Sequence, residues 1–69
     1  MDYVRVYKNV LDFHRKYSKV QDTEQYWENV KGDSEQIFNE YGKHRFVKEL
    51  LLAVINELER KGKELKANE

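Results

Sequence analysis

The 69-residue chain contains no cysteine and no proline, and only three of its residues are glycine. Without cysteine there is no disulfide framework, no thiolate chemistry and no cysteine-based zinc site. The three glycines are scattered along the chain, so no glycine-rich loop is present to cradle a phosphate group. The absence of proline, together with a charged fraction of 38%, suits a helical domain with a solvated exterior.

An excess of one charge and a long apolar run are also absent. Thirteen basic and thirteen acidic residues balance, which argues against generic binding to nucleic acid or to an anionic membrane. No window approaches the ~18 apolar residues of a membrane span. The first residues include Asp2, Arg5 and Lys8 rather than the apolar core of a signal peptide. We therefore predict a cytoplasmic protein.

The most apolar segment of the chain is residues 46–58, which reads FVKELLLAVINEL. Its apolar residues recur at helical spacing, and no glycine or proline falls between Arg45 and Lys61. This pattern predicts a helix over residues 45–61. Its apolar arc is wider than contact with a single neighbour requires. The helix is therefore expected to lie between two others, or to keep one shoulder for another chain.

A first amphipathic helix is predicted over residues 2–19, with Asp2 as its N-cap. Its apolar face repeats at steps of three and four residues. That face comprises Tyr3, Val6, Tyr7, Val10, Phe13, His14 and Tyr17.

A second helix is predicted over residues 23–41, where Asp22 and Gln25 resemble a capping box. Gly32 lies inside this segment and weakens it, but we predict one continuous helix rather than a break. Gly42 follows at the position that a left-handed C-cap requires, and Gly62 is predicted to end the third helix in the same way.

These segments predict an all-α fold, an up-down-up three-helix bundle with helices over about residues 2–19, 23–41 and 45–61. We expect a single domain at residues 1–62 and a polar, frayed tail at residues 63–69. The first helix is net positive and the second net negative, so their antiparallel contact is favourable, although each exposed pair contributes little.

His14 is the strongest single candidate for chemistry, because it lies on the predicted apolar face of the first helix. We interpret it as a buried structural residue bonded to a carbonyl or to a carboxylate such as Asp33 or Glu40. A general base would need a nucleophile or a substrate cleft beside it. His14 and His44 lack the spacing of a metal site. We predict a non-enzymatic protein with no catalytic residue, metal, cofactor or small-molecule substrate.

Surplus aromatic and apolar residues predict a protein interface, because tyrosine and tryptophan are common interface anchors. A bundle that buries all of them is the alternative. The occupant is expected to be a partner protein or a second copy that forms a homo-oligomer. The predicted interface residues are Trp27, Phe38, Phe46, Leu50 and Leu52.

Nucleic-acid binding through a basic stripe on the first helix and the joint before the third is the alternative function. Carboxylates such as Glu49, Glu57 and Glu59 lie on the open face of the third helix, where they would repel phosphate. The residues that this alternative assigns to nucleic-acid contact are Arg5, Lys8, Arg15, Lys16, Lys19, Lys43 and Arg45.

Three stretches carry a resemblance to a known group of proteins: FHRKY at residues 13–17, YWENV at residues 26–30 and FVKELLLAVINELERK at residues 46–61. They resemble short helical bacterial proteins of unknown function that are associated with prophage-like and other mobile elements. The resemblance implies a cytoplasmic accessory protein without an assigned activity, and it supplies no site residues.

Overall fold

Three helices make up the fold: α1 (Tyr3–Lys16), α2 (Glu24–Glu40) and α3 (Arg45–Ala67). The computed structural model describes the backbone of residues 1–67 and the side chains of residues 1–65. Each helix contacts the other two. The predicted all-α three-helix bundle is confirmed.

The directions of the helices follow from the residues that meet between them. Asn9 of α1 donates to the Tyr41 hydroxyl at 2.6 Å, and Lys16 lies 2.8 Å from Asp33, so α1 and α2 are antiparallel. Tyr3 near the start of α1 instead packs against Phe46 at the start of α3. Since α1 and α3 therefore run in the same direction, the bundle is up-down-up.

The first two helices begin where side-chain oxygens accept hydrogen bonds from free backbone amides. Asp2 Oδ1 accepts from the amide of Arg5 at 3.1 Å, which confirms the predicted N-cap of α1. At the start of α2, Thr23 Oγ1 accepts from the amide of Tyr26 at 3.1 Å. The N-cap of α2 is therefore Thr23, one residue after the predicted Asp22.

The first helix is shorter than predicted. It ends at Lys16, with Tyr17 as C-cap, whereas the apolar pattern predicted an end near residue 19. Ser18 turns the chain there, because its amide and its hydroxyl both donate to the Arg15 carbonyl, at 3.3 and 2.9 Å. Side-chain competition of this kind is how serine favours helix ends.

The second helix continues through Gly32 without a break, which confirms that prediction. It ends in a Schellman motif, in which the Lys43 amide donates to the Phe38 carbonyl at 2.9 Å and the Gly42 amide donates to the Asn39 carbonyl at 3.1 Å. Gly42 has φ of 66°, as predicted for a C-cap without Cβ.

The third helix does not stop at Gly62 but extends to Ala67. The predicted end at residue 61 is therefore wrong, and the segment predicted to be a polar, frayed tail is helical from residue 63 to Ala67; residues 68–69 lie outside the described residues. A Cβ at Gly62 would lie 3.5 Å from both the Trp27 ring and the Val20 side chain. This glycine thus marks a close approach within a helix rather than a stop.

The core lies along the axis between the three helices, and the predicted face of α1 supplies only part of it. Tyr3 and Tyr7 belong to the predicted apolar face but are 56% and 55% exposed, so they lie outside the core. They lie at the edge of the apolar face, where a tyrosine keeps its polar end in water. The buried apolar residues are Val6, Val10, Phe13, Tyr17, Tyr26, Val30, Val47, Leu51 and Leu58.

Candidate protein-interaction surface

His14 does not occupy the buried position that its place in the sequence predicted. Its side chain is only half-buried, and it is close enough to α3 to be the smallest of the influences that lower the pKa of the Glu57 carboxyl, the largest being the hydrogen bond from Arg60. Asp33, a predicted partner, instead accepts from Lys16 Nζ at 2.8 Å and from the Tyr17 hydroxyl at 2.5 Å. The prediction is wrong because His14 lies at the edge of the apolar face that turns towards α3, not towards α2.

The cluster of Lys16, Tyr17 and Asp33 joins the end of α1 to the middle of α2. Hydrogen bonds from Lys16 and then from Tyr17 lower the pKa of the Asp33 carboxyl. Burial, followed by the hydrogen bond to Asp33, raises the pKa of the Tyr17 hydroxyl. A carboxylate with a lowered pKa is a weak proton acceptor. The geometry therefore suits a link between two helices better than a general base.

The described residues also bear on two other possibilities, a metal site and a membrane-spanning helix. Within the part of the chain that the structure describes, no group of three or more His, Asp and Glu side chains is placed to hold a metal ion. Among the helices of residues 1–67, none combines the length and the apolar character that crossing a bilayer requires.

The basic residues assigned to nucleic-acid contact are spread over the length of the bundle. Lys16 is held by Asp33, and Arg45 lies 3.0 Å from Glu49. Arg5 and Lys16 lie near the two ends of α1 and are separated by roughly 17 Å along the helix axis at 1.5 Å per residue. The nucleic-acid alternative stays a prediction.

The predicted interface residues lie on two different sides of α3. Phe46 packs against Tyr3 and Tyr7, with ring centroids 5.4 and 5.9 Å away. Leu50 follows Phe46 by one helical turn and therefore shares its side.

The other three predicted interface residues lie where α2 meets α3. Trp27 and Phe38 belong to α2, and Leu52 belongs to α3. Phe38 and Leu52 line a shallow apolar groove between these helices. Trp27 is half-buried, with its ring edge-on to Tyr26 at 4.8 Å. Because α3 separates them from Phe46 and Leu50, the five residues do not form one continuous surface.

The sequence interpretation missed a second apolar stripe on α1. Val4, Tyr7 and Leu11 are 80%, 55% and 47% exposed. Their spacing of three and four residues places them on one side of the helix, and the ring contacts of Tyr7 place that side next to Phe46. The same spacing rule that defined the core face could have revealed this stripe.

We call the resulting surface the α1/α3 face. It combines the exposed stripe of α1 with the half-buried residues at the start of α3. Its members are Tyr3, Val4, Tyr7, Leu11, Phe46 and Leu50.

Comparisons with known proteins add no name to this surface. No family model, curated protein or solved structure matches the chain.

Proposed function

We propose that the chain is a non-enzymatic helical module that binds a protein through the α1/α3 face. The observation that carries this proposal is the exposure of Val4, Tyr7 and Leu11 side by side on α1. Fully burying one such side chain is worth about 1.5–3 kcal/mol, which matters in a chain of this size. Contiguous exposed apolar side chains are typical of docking sites, whereas isolated ones are common on any surface.

The surroundings of the α1/α3 face fit the same proposal. Lys8 and Arg15 follow Val4 and Leu11 by one helical turn, and both are exposed. An apolar centre beside a charged, solvated rim is the usual anatomy of a protein interface. The exposed tyrosines add large rigid rings with a polar end, a residue type that is enriched at the centres of interfaces.

The setting of this module is part of the proposal and rests on the sequence. The proposed cytoplasmic location is supported by the cysteine-free composition. An accessory role in a prophage-like or other mobile element rests on the resemblance of residues 13–17, 26–30 and 46–61 alone.

A photo-crosslinking amino acid tests the docking surface directly. We would place p-benzoylphenylalanine at Tyr7, which keeps an aromatic ring at that position, and as a matched control at Glu28, which is exposed on α2. Under illumination in producing cells, we expect covalent protein adducts from position 7 and few from position 28. The additional substitution Leu11→Lys should remove the adducts from position 7. Equal yields at both positions, or a yield that Leu11→Lys leaves unchanged, would overturn the proposal.

A further inference from the structure

The two edges of the α1/α3 face differ in charge, because one is basic and the other carries carboxylates among basic residues. The edge on α1 has the exposed cations Lys8 and Arg15. The edge on α3 has three carboxylates, the two arginines that bind them, and Lys61, which follows Glu57 by one helical turn. The residues on the α3 edge are Arg45, Glu49, Glu57, Arg60, Lys61 and Glu64.

The charges on the two edges also lie at matching heights along the bundle. Tyr3 and Tyr7 both contact Phe46, and His14 is close enough to Glu57 to be a minor influence on the pKa of that carboxyl, after Arg60. Since α1 and α3 are parallel and both rise 1.5 Å per residue, a residue of α1 lies level with the residue about 42 positions later in α3. Arg15 is therefore level with Glu57.

This arrangement is self-complementary under one particular symmetry. A two-fold axis that runs parallel to the helices would place α1 of one copy over α3 of the other. Each residue would keep its position along the direction of the helices. Arg15 would then meet Glu57 of the partner copy twice in one dimer, and the apolar halves of the two faces would coincide. A two-fold axis across the helices would instead lay α1 on α1, with basic edge against basic edge.

We infer that the occupant of the α1/α3 face is a second copy of this chain, in a parallel two-fold dimer with α1 of each copy lying along α3 of the other. This inference rests on the proposed docking function of that face. A nucleic acid or an anionic bilayer fits less well, because either would meet the carboxylates of the α3 edge, such as Glu57, together with the basic edge at Lys8.

The size of the face predicts a dimer that forms and dissociates with concentration. The bundle measures 43 × 19 × 17 Å, so its long side is comparable with the roughly 800 Å² that each partner contributes to a standard interface. The apolar residues occupy only the half of this side that lies near the start of α1 and α3. The remaining half is charged, which favours exchange over permanent association.

Sedimentation equilibrium of the purified full chain tests the dimer. Between about 10 µM and about 1 mM protein, where a weak interface becomes occupied, we expect the apparent mass to rise from monomer towards dimer. Leu11→Lys should weaken dimerisation about tenfold or more, because it places a cation in the apolar centre.

Leu52→Lys is the matched control, since Leu52 is 46% exposed and Leu11 is 47% exposed, but Leu52 lies on the side that meets α2. A wild-type monomer at every concentration, or equal weakening by both variants, would overturn the inference.

Exchanging the charges tests the predicted pairing and symmetry. Arg15→Glu and Glu57→Arg should each weaken the homodimer several-fold, because each brings like charges together at both symmetric contacts. An equimolar mixture of the two variants should form a heterodimer, in which both contacts again join opposite charges. Native mass spectrometry separates the three dimers by mass, and circular dichroism checks that each variant remains folded. A mixture that dimerises no better than its components would exclude this geometry.

The two experiments separate a failure of the dimer from a failure of the docking proposal. If the wild-type chain stays monomeric but position 7 crosslinks to a different protein in a manner that depends on Leu11, the second copy is excluded and the docking function stands. If the chain is monomeric and position 7 gives no more adducts than position 28, both proposals fail.

Discussion

The Tyr26 hydroxyl donates a buried 2.6 Å hydrogen bond to the backbone carbonyl of Tyr17. The two rings also meet edge-on, with centroids 5.6 Å apart. The last carbonyls of a helix have no partner within the helix, and this bond satisfies one of them at the end of α1 from the first turn of α2. This side chain therefore adds to the Lys16–Asp33 and Asn9–Tyr41 hydrogen bonds in fixing how the first two helices meet.

Tyr26→Phe is expected to destabilise the fold by about 1 to 3 kcal/mol, because it leaves the buried Tyr17 carbonyl without this donor while keeping the ring. Urea denaturation followed by circular dichroism measures the change. Tyr3→Phe is the matched control: Tyr3 is 56% exposed, and its loss of a hydroxyl should change stability by less than about 0.5 kcal/mol. Equal effects of the two substitutions would contradict the role assigned to Tyr26.

Asp33→Asn is expected to reduce the dependence of stability on acid pH. Hydrogen bonds from Lys16 and Tyr17 lower the pKa of Asp33 in the folded state. The resulting stabilisation is therefore complete above the unfolded-state pKa of about 3.9 and is lost as the pH falls through the lower folded-state pKa. The free energy of unfolding should thus fall less between pH 7 and about pH 2.5 in the variant than in the wild type.

Lys16→Met provides the companion measurement for Asp33. It removes the donor with the largest effect on the Asp33 pKa and keeps the aspartate itself. We expect an acid dependence between those of the wild type and Asp33→Asn, since the Tyr17 hydroxyl remains at 2.5 Å. If all three proteins lose the same stability on acidification, the cluster is not the source of the pH dependence.

Replacement by alanine is expected to have opposite effects at two glycines. Gly32 lies inside α2, and a Cβ there would meet nothing within 4 Å, so Gly32→Ala should stabilise the fold by about 0.5–1 kcal/mol through helix propensity and a less flexible unfolded chain. Gly42 has φ of 66°, a conformation in which a Cβ is strained. Gly42→Ala should therefore destabilise by about 1–2 kcal/mol. Thermal denaturation shows whether each variant is more or less stable than the wild type. A change in the same direction for both variants would contradict the backbone geometry.

Leu58→Ala is expected to cost about 2–5 kcal/mol, as deletion of a fully buried leucine side chain usually does. Leu58 is 0% exposed in the core, whereas Leu52, six residues earlier in α3, is 46% exposed. Leu52→Ala should therefore cost less than about 1 kcal/mol. Chemical denaturation of the two variants measures the stability lost by the same Leu→Ala substitution at a buried and at an exposed position of α3. A small loss for Leu58→Ala would mean that α3 packs on a different face.

Local signals in the sequence placed the helix boundaries unevenly. Asp2 and Gly42 were predicted correctly, because an N-cap carboxylate and a glycine in the left-handed region act within a few residues of the chain. Gly62 was misread, since a glycine that accommodates Trp27 from another helix has the same sequence signal as a glycine that ends one.

The sequence by itself determined the all-α class, the three helices and most of the core, because helical periodicity and helix propensity act along a single chain. It also contained the stripe of Val4, Tyr7 and Leu11, although that stripe was overlooked. Only the tertiary structure decided which apolar shoulder is covered. The wide arc of α3 leaves Phe46 beside the exposed side of α1 and Leu52 beside α2, a division that depends on how three helices rotate against one another.

The same reason applies to the polar groups. The sequence around Tyr17, Asp33 and His14 does not indicate which side chains of the other helices they contact. Packing of α1 against α2 brought Tyr17 to Asp33, and packing of α1 against α3 turned His14 towards Glu57. Contacts between helices depend on the sum of many small packing energies, which no short stretch of sequence contains.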